Sequence, residues 1–175
     1  MKRLVLLRHA KAAPDKAGVD DRDRVLADRG RADAIRMGQY LKEQDCVPEL
    51  VLCSPAVRTR QTLELALPQL GAAPAVRHLD ELYLARWLTI VNIVRQTPRS
   101  VAALMVVGHN PGLEECARKL ARPPGDAQAR KLHDAMREKY PTGAVAVLDF
   151  ELPDWKTIEP GQGELEFFTA PKDLA

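Results

Sequence analysis

A chain of 175 residues is long enough to bury one hydrophobic core without a metal ion or a disulfide, so we expect a single domain over residues 1–175. Hydrophobic residues make up 46% of the chain and charged residues 29%, which excludes a disordered or fibrous protein. The formal net charge is only +2 and aromatic residues make up 5%, which argues against a nucleic-acid partner.

The predicted elements alternate between strands and helices along the chain. Apolar runs of strand length occupy residues 2–7, 50–53, 101–107 and 144–150, with weaker candidates at 75–79 and 163–169. Helical periodicity covers residues 32–43, 57–67, 85–95, 113–120 and 127–139. This alternation predicts the α/β class, with one doubly wound, mostly parallel sheet covered by helices on both faces.

The apolar runs and the cysteines also restrict where the protein works. The first apolar run is too short for a signal peptide or a membrane span, and no later run reaches about 18 residues. We therefore expect a cytoplasmic protein with no membrane partner. Cys46, Cys53 and Cys116 are scattered and form no CxxC pair, which predicts reduced, buried thiols rather than disulfides or a zinc site.

Polar residues follow four of the predicted strands. They are Arg8 and His9 after the first strand, Ser54 and Arg58 after the second, Asp80 and Glu81 after the third, and His109 and Asn110 after the fourth. Ligands of open α/β sheets bind beyond the carboxyl ends of the strands, so these side chains could meet at one edge. Two arginines and two histidines would suit a dianionic phosphoryl group.

Electrostatic repulsion bears on whether such a cluster is incidental. Two like charges about 4 Å apart repel by roughly 4 kcal/mol at an effective dielectric constant of about 20. Clustered arginines therefore need an anion, a carboxylate partner or open water. Spacing alone leaves scattered surface arginines as the alternative.

Three segments, in this order, resemble the histidine phosphatase superfamily: Leu-Leu-Arg-His-Ala at 6–10, Ser-Pro-Ala-Val-Arg-Thr-Arg-Gln-Thr at 54–62 and Val-Gly-His-Asn-Pro at 107–111. Within the superfamily the chain is similar to the short SixA-type phosphohistidine phosphatases, also in Tyr-Pro-Thr-Gly-Ala at 140–144 and around Trp155. Ala10 replaces the glycine of the wider superfamily, as in many SixA-like relatives. The resemblance covers nearly the whole chain and implies a phosphoglycerate mutase-like fold.

The resemblance implies a role for each of four residues. His9 attacks phosphorus and forms a phosphohistidine that water hydrolyses. Arg8 and Arg58 bind and stabilise the phosphoryl oxygens, and His109 donates a hydrogen bond to them. The attack requires a neutral His9, which its ordinary pKa near 6.5 and the neighbouring arginines both favour.

Two further residues have less definite expected roles. Glu81 stands where mutase-like relatives carry a glutamate that protonates the leaving oxygen, and Asp80 is the second choice. A phosphohistidine has a nitrogen leaving group that needs less help, so the absence of a dedicated acid is also open. Arg24 lies in a charged segment expected near the pocket, where it either contacts the phosphate or is solvated, and Lys11 has the same two interpretations.

These residues predict a phosphatase that needs no metal and no cofactor. Its expected substrate is a phosphohistidine on a protein, such as a histidine phosphotransfer protein, or a small phosphomonoester or metabolite. Inorganic phosphate or sulfate is expected to occupy the pocket. Two other functions stay open: a phosphoglycerate-type mutase, and a non-catalytic module that binds phosphate or a phosphoprotein.

Overall fold

The computed structural model describes residues 1–174 and contains a six-stranded sheet. The strands are β1 (Lys2–Arg8), β2 (Leu50–Cys53), β3 (Ala75–His78), β4 (Ala103–Gly108), β5 (Val145–Phe150) and β6 (Glu164–Thr169). Their order across the sheet is β3-β2-β4-β1-β5-β6. The first four strands are mutually parallel, whereas β5 pairs antiparallel with both β1 and β6.

Five α-helices connect these strands. They are α1 (Asp28–Glu43), α2 (Val57–Leu70), α3 (Trp87–Arg95), α4 (Gly112–Leu120) and α5 (Ala127–Glu138). A single helix after a strand returns the chain to the amino edge of the sheet, so the next strand is parallel. Two helices, α4 and α5, follow β4, and they leave the chain at the carboxyl edge. The next strand, β5, is consequently antiparallel.

The helices cover both faces of the sheet, as the alternation in the sequence predicts. Along β1, Leu4 and Leu6 join the core beneath α3, α4 and α5. Val5 and Leu7 point the other way and pack with residues of α1 and α2. Successive strand side chains alternate between faces, and a strand that is apolar at every position must be buried on both. The doubly wound fold class is confirmed.

The observed boundaries differ from the predicted ones mainly at the start of helices. The helix α1 begins at Asp28 rather than residue 32, because its first turn is polar and carries no apolar period to detect. The strand β4 begins at Ala103, two residues later than its apolar run. Both sheet-edge candidates, at 75–79 and 163–169, are strands.

Among residues 1–174, the structure bears on two expectations from the sequence: the lack of a membrane span and the state of the three cysteines. No helix there has both the length and the apolar character needed to cross a bilayer. Cys46, Cys53 and Cys116 are all buried and free.

Candidate active site

The register of the parallel strands brings three chain segments to the same place. Arg8 lies opposite Gly108, and Cys53 lies opposite Val107, so β1, β2 and β4 end almost level. The residues that follow them, His9, Ser54 and His109, therefore emerge together at the carboxyl edge. This is where ligands bind in open α/β sheets.

A cavity of about 320 Å³ lies at this edge. Its lining includes four cationic residues and two histidines but no carboxylate; the residues are Arg8, His9, Lys11, Ala12, Arg24, Arg58, Leu84, His109, Asn110 and Thr142. The structure thus brings Arg8, His9, Arg24, Arg58 and His109 together. An anion is the ligand that such a concentration of positive charge favours.

The ring of His9 is oriented by its own backbone. Its Nδ1 lies 2.7 Å from the carbonyl oxygen of Ala10, and a carbonyl oxygen only accepts, so Nδ1 donates. The lone pair is then on Nε2. Burial, together with the positive charges of Arg8 and Arg58, lowers the pKa of His9 to about 4. At neutral pH His9 is therefore an uncharged imidazole with an available nitrogen lone pair.

His109 lies beside His9, with 5.4 Å between the ring centroids. Its Nε2 is 2.7 Å from the hydroxyl of Ser54, and its Nδ1 is 3.4 Å from Nη2 of Arg58. Burial, followed by the neighbouring His9 and Arg58, lowers the pKa of His109 to about 3. A guanidinium group only donates, so Nδ1 of His109 accepts from Arg58 and its Nε2–H donates to the Ser54 hydroxyl.

The two arginines of the motif are held by different partners. Nη1 of Arg8 donates to the carbonyl oxygen of Tyr140 at 3.0 Å, while burial lowers the pKa of Arg8. Arg58 is buried on α2 and donates to both the backbone and the carboxylate of Asp21, at 2.6 and 3.0 Å. Both guanidinium groups are thereby fixed against the histidines.

Asp21 and Tyr83 belong to the site, although the sequence interpretation did not identify them. The Tyr83 hydroxyl donates to the Asp21 carboxylate, and the Tyr83 ring packs edge-on against His109 at 5.4 Å. The hydrogen bond from Tyr83, together with Arg58, lowers the pKa of Asp21 to about 2. Asp21 could have been identified from the sequence because it lies in the charged segment expected near the pocket. No sequence feature pointed to Tyr83.

Backbone and hydroxyl groups complete the frame behind the histidines. Thr62 accepts from the amide of Ala10 at 2.9 Å and donates to the carbonyl of Arg58 at 2.7 Å. The amide of Gly143 donates to the carbonyl of His9 at 2.8 Å. Thr62 thus fixes the Arg58 segment, and the Ser54 hydroxyl accepts from the amide of Ala56 at 3.4 Å in addition to its contact with His109.

Arg24 and Lys11, for which the sequence left open a place in the pocket or a solvated position, both line the cavity. Arg24 donates to the carbonyl of Ala13 at 3.0 Å and approaches the Asp21 carboxylate at 3.3 Å. Lys11 is exposed at the rim. Both side chains add positive charge at the entrance, which favours the pocket interpretation over simple solvation.

Glu81 is not brought to the cavity, and this corrects its expected position. It is exposed and lines a different cavity with Arg77, Leu79 and Gln96, among others. Tyr83 and Leu84 of the same segment do reach the site, so the separation is local: the turn Asp80–Leu82 directs the Glu81 side chain to the other cavity. Asp80 points outward too, and pairs with Arg22 at 3.4 Å.

Unpaired polar atoms indicate what the cavity accommodates. Nε of Arg8 and Nε of Arg24 are buried, and neither has a hydrogen-bond partner among residues 1–174. A buried donor without a partner costs about 1–3 kcal/mol. An oxyanion that contacts these groups would recover this free energy.

The fold and the cavity together define a protein of the α/β class with a cationic cavity at the carboxyl edge of the sheet, where two neutral histidines and two arginines suit an oxyanion. The chain belongs to the histidine phosphatase superfamily (branch 1), whose sequence pattern matches residues 4–147. This confirms the family that the three motifs indicated.

Similar proteins cover almost the full chain. An uncharacterized protein of Mycobacterium tuberculosis is 36% identical over 167 residues, which span 95% of this chain and 100% of that one. The phosphohistidine phosphatase SixA of Escherichia coli is 32% identical over 111 residues, 62% of this chain and 68% of SixA.

Solved structures carrying the SixA name share the fold. A protein from Nakamurella multipartitia superposes with a TM-score of 0.82 and 31% identity, covering 97% of this chain and 96% of that one. The protein histidine phosphatase SixA complexed with tungstate gives a TM-score of 0.77 and 25% identity over 99% of each chain. The SixA-type resemblance is consistent with these structures.

Proposed function

We propose that this protein is a metal-independent phosphatase that transfers the phosphoryl group to His9, with a phosphohistidine on a protein as its preferred substrate and small phosphomonoesters as weaker ones. The observation that carries this proposal is the free Nε2 lone pair of a buried, neutral His9 inside a cationic cavity. A nucleophile of this kind needs no further activation at neutral pH.

In the first step Nε2 of His9 attacks phosphorus. A bond forms between Nε2 and phosphorus while the bond from phosphorus to the substrate's leaving nitrogen or oxygen breaks, and the leaving atom keeps the electron pair. Arg8 and Arg58 stabilise the charge on the equatorial oxygens. His109 donates to these oxygens in the tautomer with its proton on Nδ1, which forms when Arg58 turns to the phosphoryl group and the Ser54 hydroxyl donates to Nε2. The Ala10 carbonyl keeps its hydrogen bond from Nδ1–H as the His9 ring becomes positively charged.

In the second step water attacks the phosphoryl group on His9. The new oxygen–phosphorus bond replaces the Nε2–phosphorus bond, inorganic phosphate forms, and the electron pair returns to Nε2. The proton lost from the water passes to phosphate or solvent. Because Gly143 holds the His9 carbonyl and Thr62 holds the Ala10 amide, the nucleophile keeps its position through both steps.

The lack of a carboxylate among the cavity-lining residues favours phosphohistidine as the substrate. Asp21, near Arg58, has a pKa of about 2, so at neutral pH it is ionised and has no proton to give. An alkoxide is a poor leaving group without a proton donor, whereas a phosphohistidine protonated on its other ring nitrogen expels neutral imidazole and needs no acid from the enzyme. Esters with activated leaving groups, such as aryl phosphates, should also react.

Metal independence follows from the charge of the cavity. Arg8, Arg24 and Arg58 supply the positive charge that a divalent cation would otherwise provide, and they repel such a cation. We expect EDTA to leave kcat/KM unchanged in protein dialysed against a metal-free buffer. A loss of activity that Mg²⁺ or Zn²⁺ restores would contradict this proposal.

The relatives support the same substrate class. SixA of Escherichia coli is named a phosphohistidine phosphatase, and a SixA structure holds tungstate, a tetrahedral oxyanion of the same shape as phosphate. Conversely, a phosphoglycerate-type mutase must close over a small substrate, and the cavity here has an exposed rim at Lys11 and Leu84. A protein-borne phosphoryl group can enter such a cavity.

The deciding experiment traps the intermediate and then ranks substrates. The enzyme is quenched with a ³²P-labelled phosphohistidine protein, and the label, stable in alkali and lost in acid, should map to His9. Label on another residue would refute the mechanism. A panel of phosphohistidine proteins, sugar phosphates, phosphoglycerates and an aryl phosphate then compares kcat/KM, and primed mutase turnover above hydrolysis would reverse the assignment.

A further inference from the structure

Beside the catalytic cavity lies a second, smaller one of about 110 Å³, and the two share Thr142. Three cations line the smaller cavity: Arg29, Lys139 and Lys172. We call these three residues the basic patch. The remaining lining residues are uncharged, namely Pro141, Thr142, Ala170 and Pro171.

The charges of the basic patch are largely uncompensated. Neither Lys139 nor Lys172 forms an ion pair with a residue in the described part of the chain. Arg29 approaches Asp33 at 3.7 Å, but its side chain is 73% exposed, and such a pair contributes little. The patch therefore presents three positive charges to an incoming molecule.

Direct contacts hold the patch against the catalytic strand. Gly143, next to Thr142, donates to the His9 carbonyl, and a methyl group on Gly143 would lie 2.7 Å from Pro171. On the other side, a methyl group on Gly30 would lie 2.1 Å from the carbonyl oxygen of Lys11. The segments that carry the three cations thus stand at a fixed position relative to the nucleophile.

The opposite edge of the sheet has the reverse charge. A cavity of about 540 Å³ near the start of β1 is lined by Asp149, Glu151, Glu164 and Glu166, with Arg122. The cavities at the two edges therefore differ in charge: cations line those at the carboxyl edge, and carboxylates predominate in the one at the amino edge, where Asp149 pairs with Arg3 and Glu164 with Arg122. Such a field orients an approaching anionic protein towards the catalytic cavity.

We infer that the basic patch is a docking surface for acidic side chains that flank the phosphorylated histidine of a protein substrate. The patch cations are exposed, and two of them are lysines, which act as mobile point charges without a fixed hydrogen-bond geometry. This suits carboxylates at variable positions on a protein surface. A second phosphate of a small molecule would be better served by a buried arginine or by backbone amides, and the patch contains no buried cation.

The inference rests on the proposed function, because it assumes that a protein carries the phosphoryl group to His9. Two peptides with one histidine each, phosphorylated with phosphoramidate, test it: one has Asp and Glu on both sides, and the other has Ser and Gln. We expect a kcat/KM about tenfold higher for the acidic peptide at low salt, and a ratio near one at about 0.5 M NaCl. Equal kcat/KM for the two peptides at low salt would overturn the inference.

Charge reversal tests whether these residues are responsible. In K139E/K172E the ratio of the two kcat/KM values should fall to one or below. The matched control is K42E/K156E, with the same charge change at two exposed lysines outside both cavities, and it should keep a clear preference for the acidic peptide. If both double variants lower the ratio equally, the effect belongs to net charge and the patch is refuted.

A binding measurement separates this inference from the proposed function. A fluorescein-labelled peptide of Asp and Glu, without phosphate, should bind the unaltered protein at low salt and should bind K139E/K172E at least about fivefold more weakly, by fluorescence anisotropy. Binding of this kind without turnover of either phosphopeptide would refute only the proposed function. Turnover of both phosphopeptides with equal kcat/KM would refute only the patch. The patch would also be refuted if K139E/K172E lowered kcat/KM for a small bisphosphate as much as it lowered kcat/KM for the acidic peptide.

Discussion

At the scale of single residues, His9 and His109 have the same side chain but different partners. Nδ1 of His9 donates to a backbone carbonyl, which leaves Nε2 free for attack. Nε2 of His109 instead contacts the Ser54 hydroxyl. Because the neighbour of one ring nitrogen decides which nitrogen carries the proton, the contact with Ala10 supports the proposed attack by His9, and the contact with Ser54 orients the ring of His109.

Replacing His9 tests the first assignment. His9→Asn removes the nucleophilic nitrogen but keeps Arg8, Arg58 and His109, so kcat should fall at least about 10³-fold while phosphate binding changes only a few-fold. Steady-state kinetics and isothermal titration calorimetry measure the two quantities. His133→Asn, at a buried histidine on α5 outside the cavity, should retain activity. Comparable losses in both variants would show that the effect is structural.

Replacing Ser54 tests the second assignment. Ser54 is completely buried, so Ser54→Ala leaves Nε2 of His109 without its partner, at a cost of about 1–3 kcal/mol. If this cost appears in the transition state, kcat/KM falls about 10- to 100-fold. The exposed Ser100→Ala variant is the control. Unchanged kcat/KM in Ser54→Ala would mean that His109 needs no orientation by Ser54.

At the scale of elements, close backbone contacts between segments hold the cavity in shape. A methyl group added to Gly112, at the start of α4, would lie 1.8 Å from the carbonyl oxygen of Ala85. That contact joins the helix following His109 to the segment that carries Tyr83 and Leu84 at the cavity. Glycine at this position therefore lets two functional segments approach each other.

The variant Gly112→Ala should consequently harm both stability and activity. Alanine normally stabilises a helix by about 1 kcal/mol relative to glycine, but the overlap with backbone at Ala85 exceeds this gain, and overpacking costs typically 1–3 kcal/mol. We expect a lower Tm in calorimetry and a reduced kcat/KM. Gly125→Ala, where a methyl group meets nothing within 4 Å, should change neither. A stabilised Gly112→Ala protein would contradict the packing argument.

At the scale of the whole molecule, the two histidines of the cavity, His9 and His109, couple catalysis to acid stability. The pKa of an unfolded histidine is about 6.5, whereas folding lowers the pKa of His9 to about 4 and that of His109 to about 3. The unfolded chain therefore binds more protons than the native one between these values. The free energy of unfolding is at its full value above pH about 6.5 and decreases as the pH falls towards the folded-state pKa values.

The slope of stability against pH measures this coupling. Between pH about 6 and 4.5, each of the two histidines should lower the free energy of unfolding by up to about 1.4 kcal/mol per pH unit, as followed by urea denaturation. His9→Gln should reduce the slope by up to about 1.4 kcal/mol per pH unit, while His109 and the buried His133, whose pKa burial also lowers, keep contributing. His78→Gln, at an exposed histidine of β3, should leave it unchanged. An equal slope in His9→Gln would show that His9 is not held neutral by the fold.

The local sequence by itself determined most of the elements and four of the site residues. Strands such as β2, apolar at every position, must be buried on both faces, and this requirement alone predicts helices above and below the sheet. Arg8, His9, Arg58 and His109 were identifiable because each follows a strand within a motif of the superfamily. The burial of a strand and the presence of a motif both depend on residues that are neighbours in the chain, so both can be predicted from local sequence.

Only the tertiary structure decided which of the strand ends meet. The turn Asp80–Leu82 directs Glu81 away from the cavity while Tyr83 and Leu84 reach it, and the local sequence does not show which of these neighbours faces the site. Likewise, the contact of Asp21 with Arg58 and Tyr83 joins positions 37 and 62 residues apart in the chain. The charge of the basic patch also depends on segments distant in sequence, because Coulomb interactions follow distance in space rather than position along the chain.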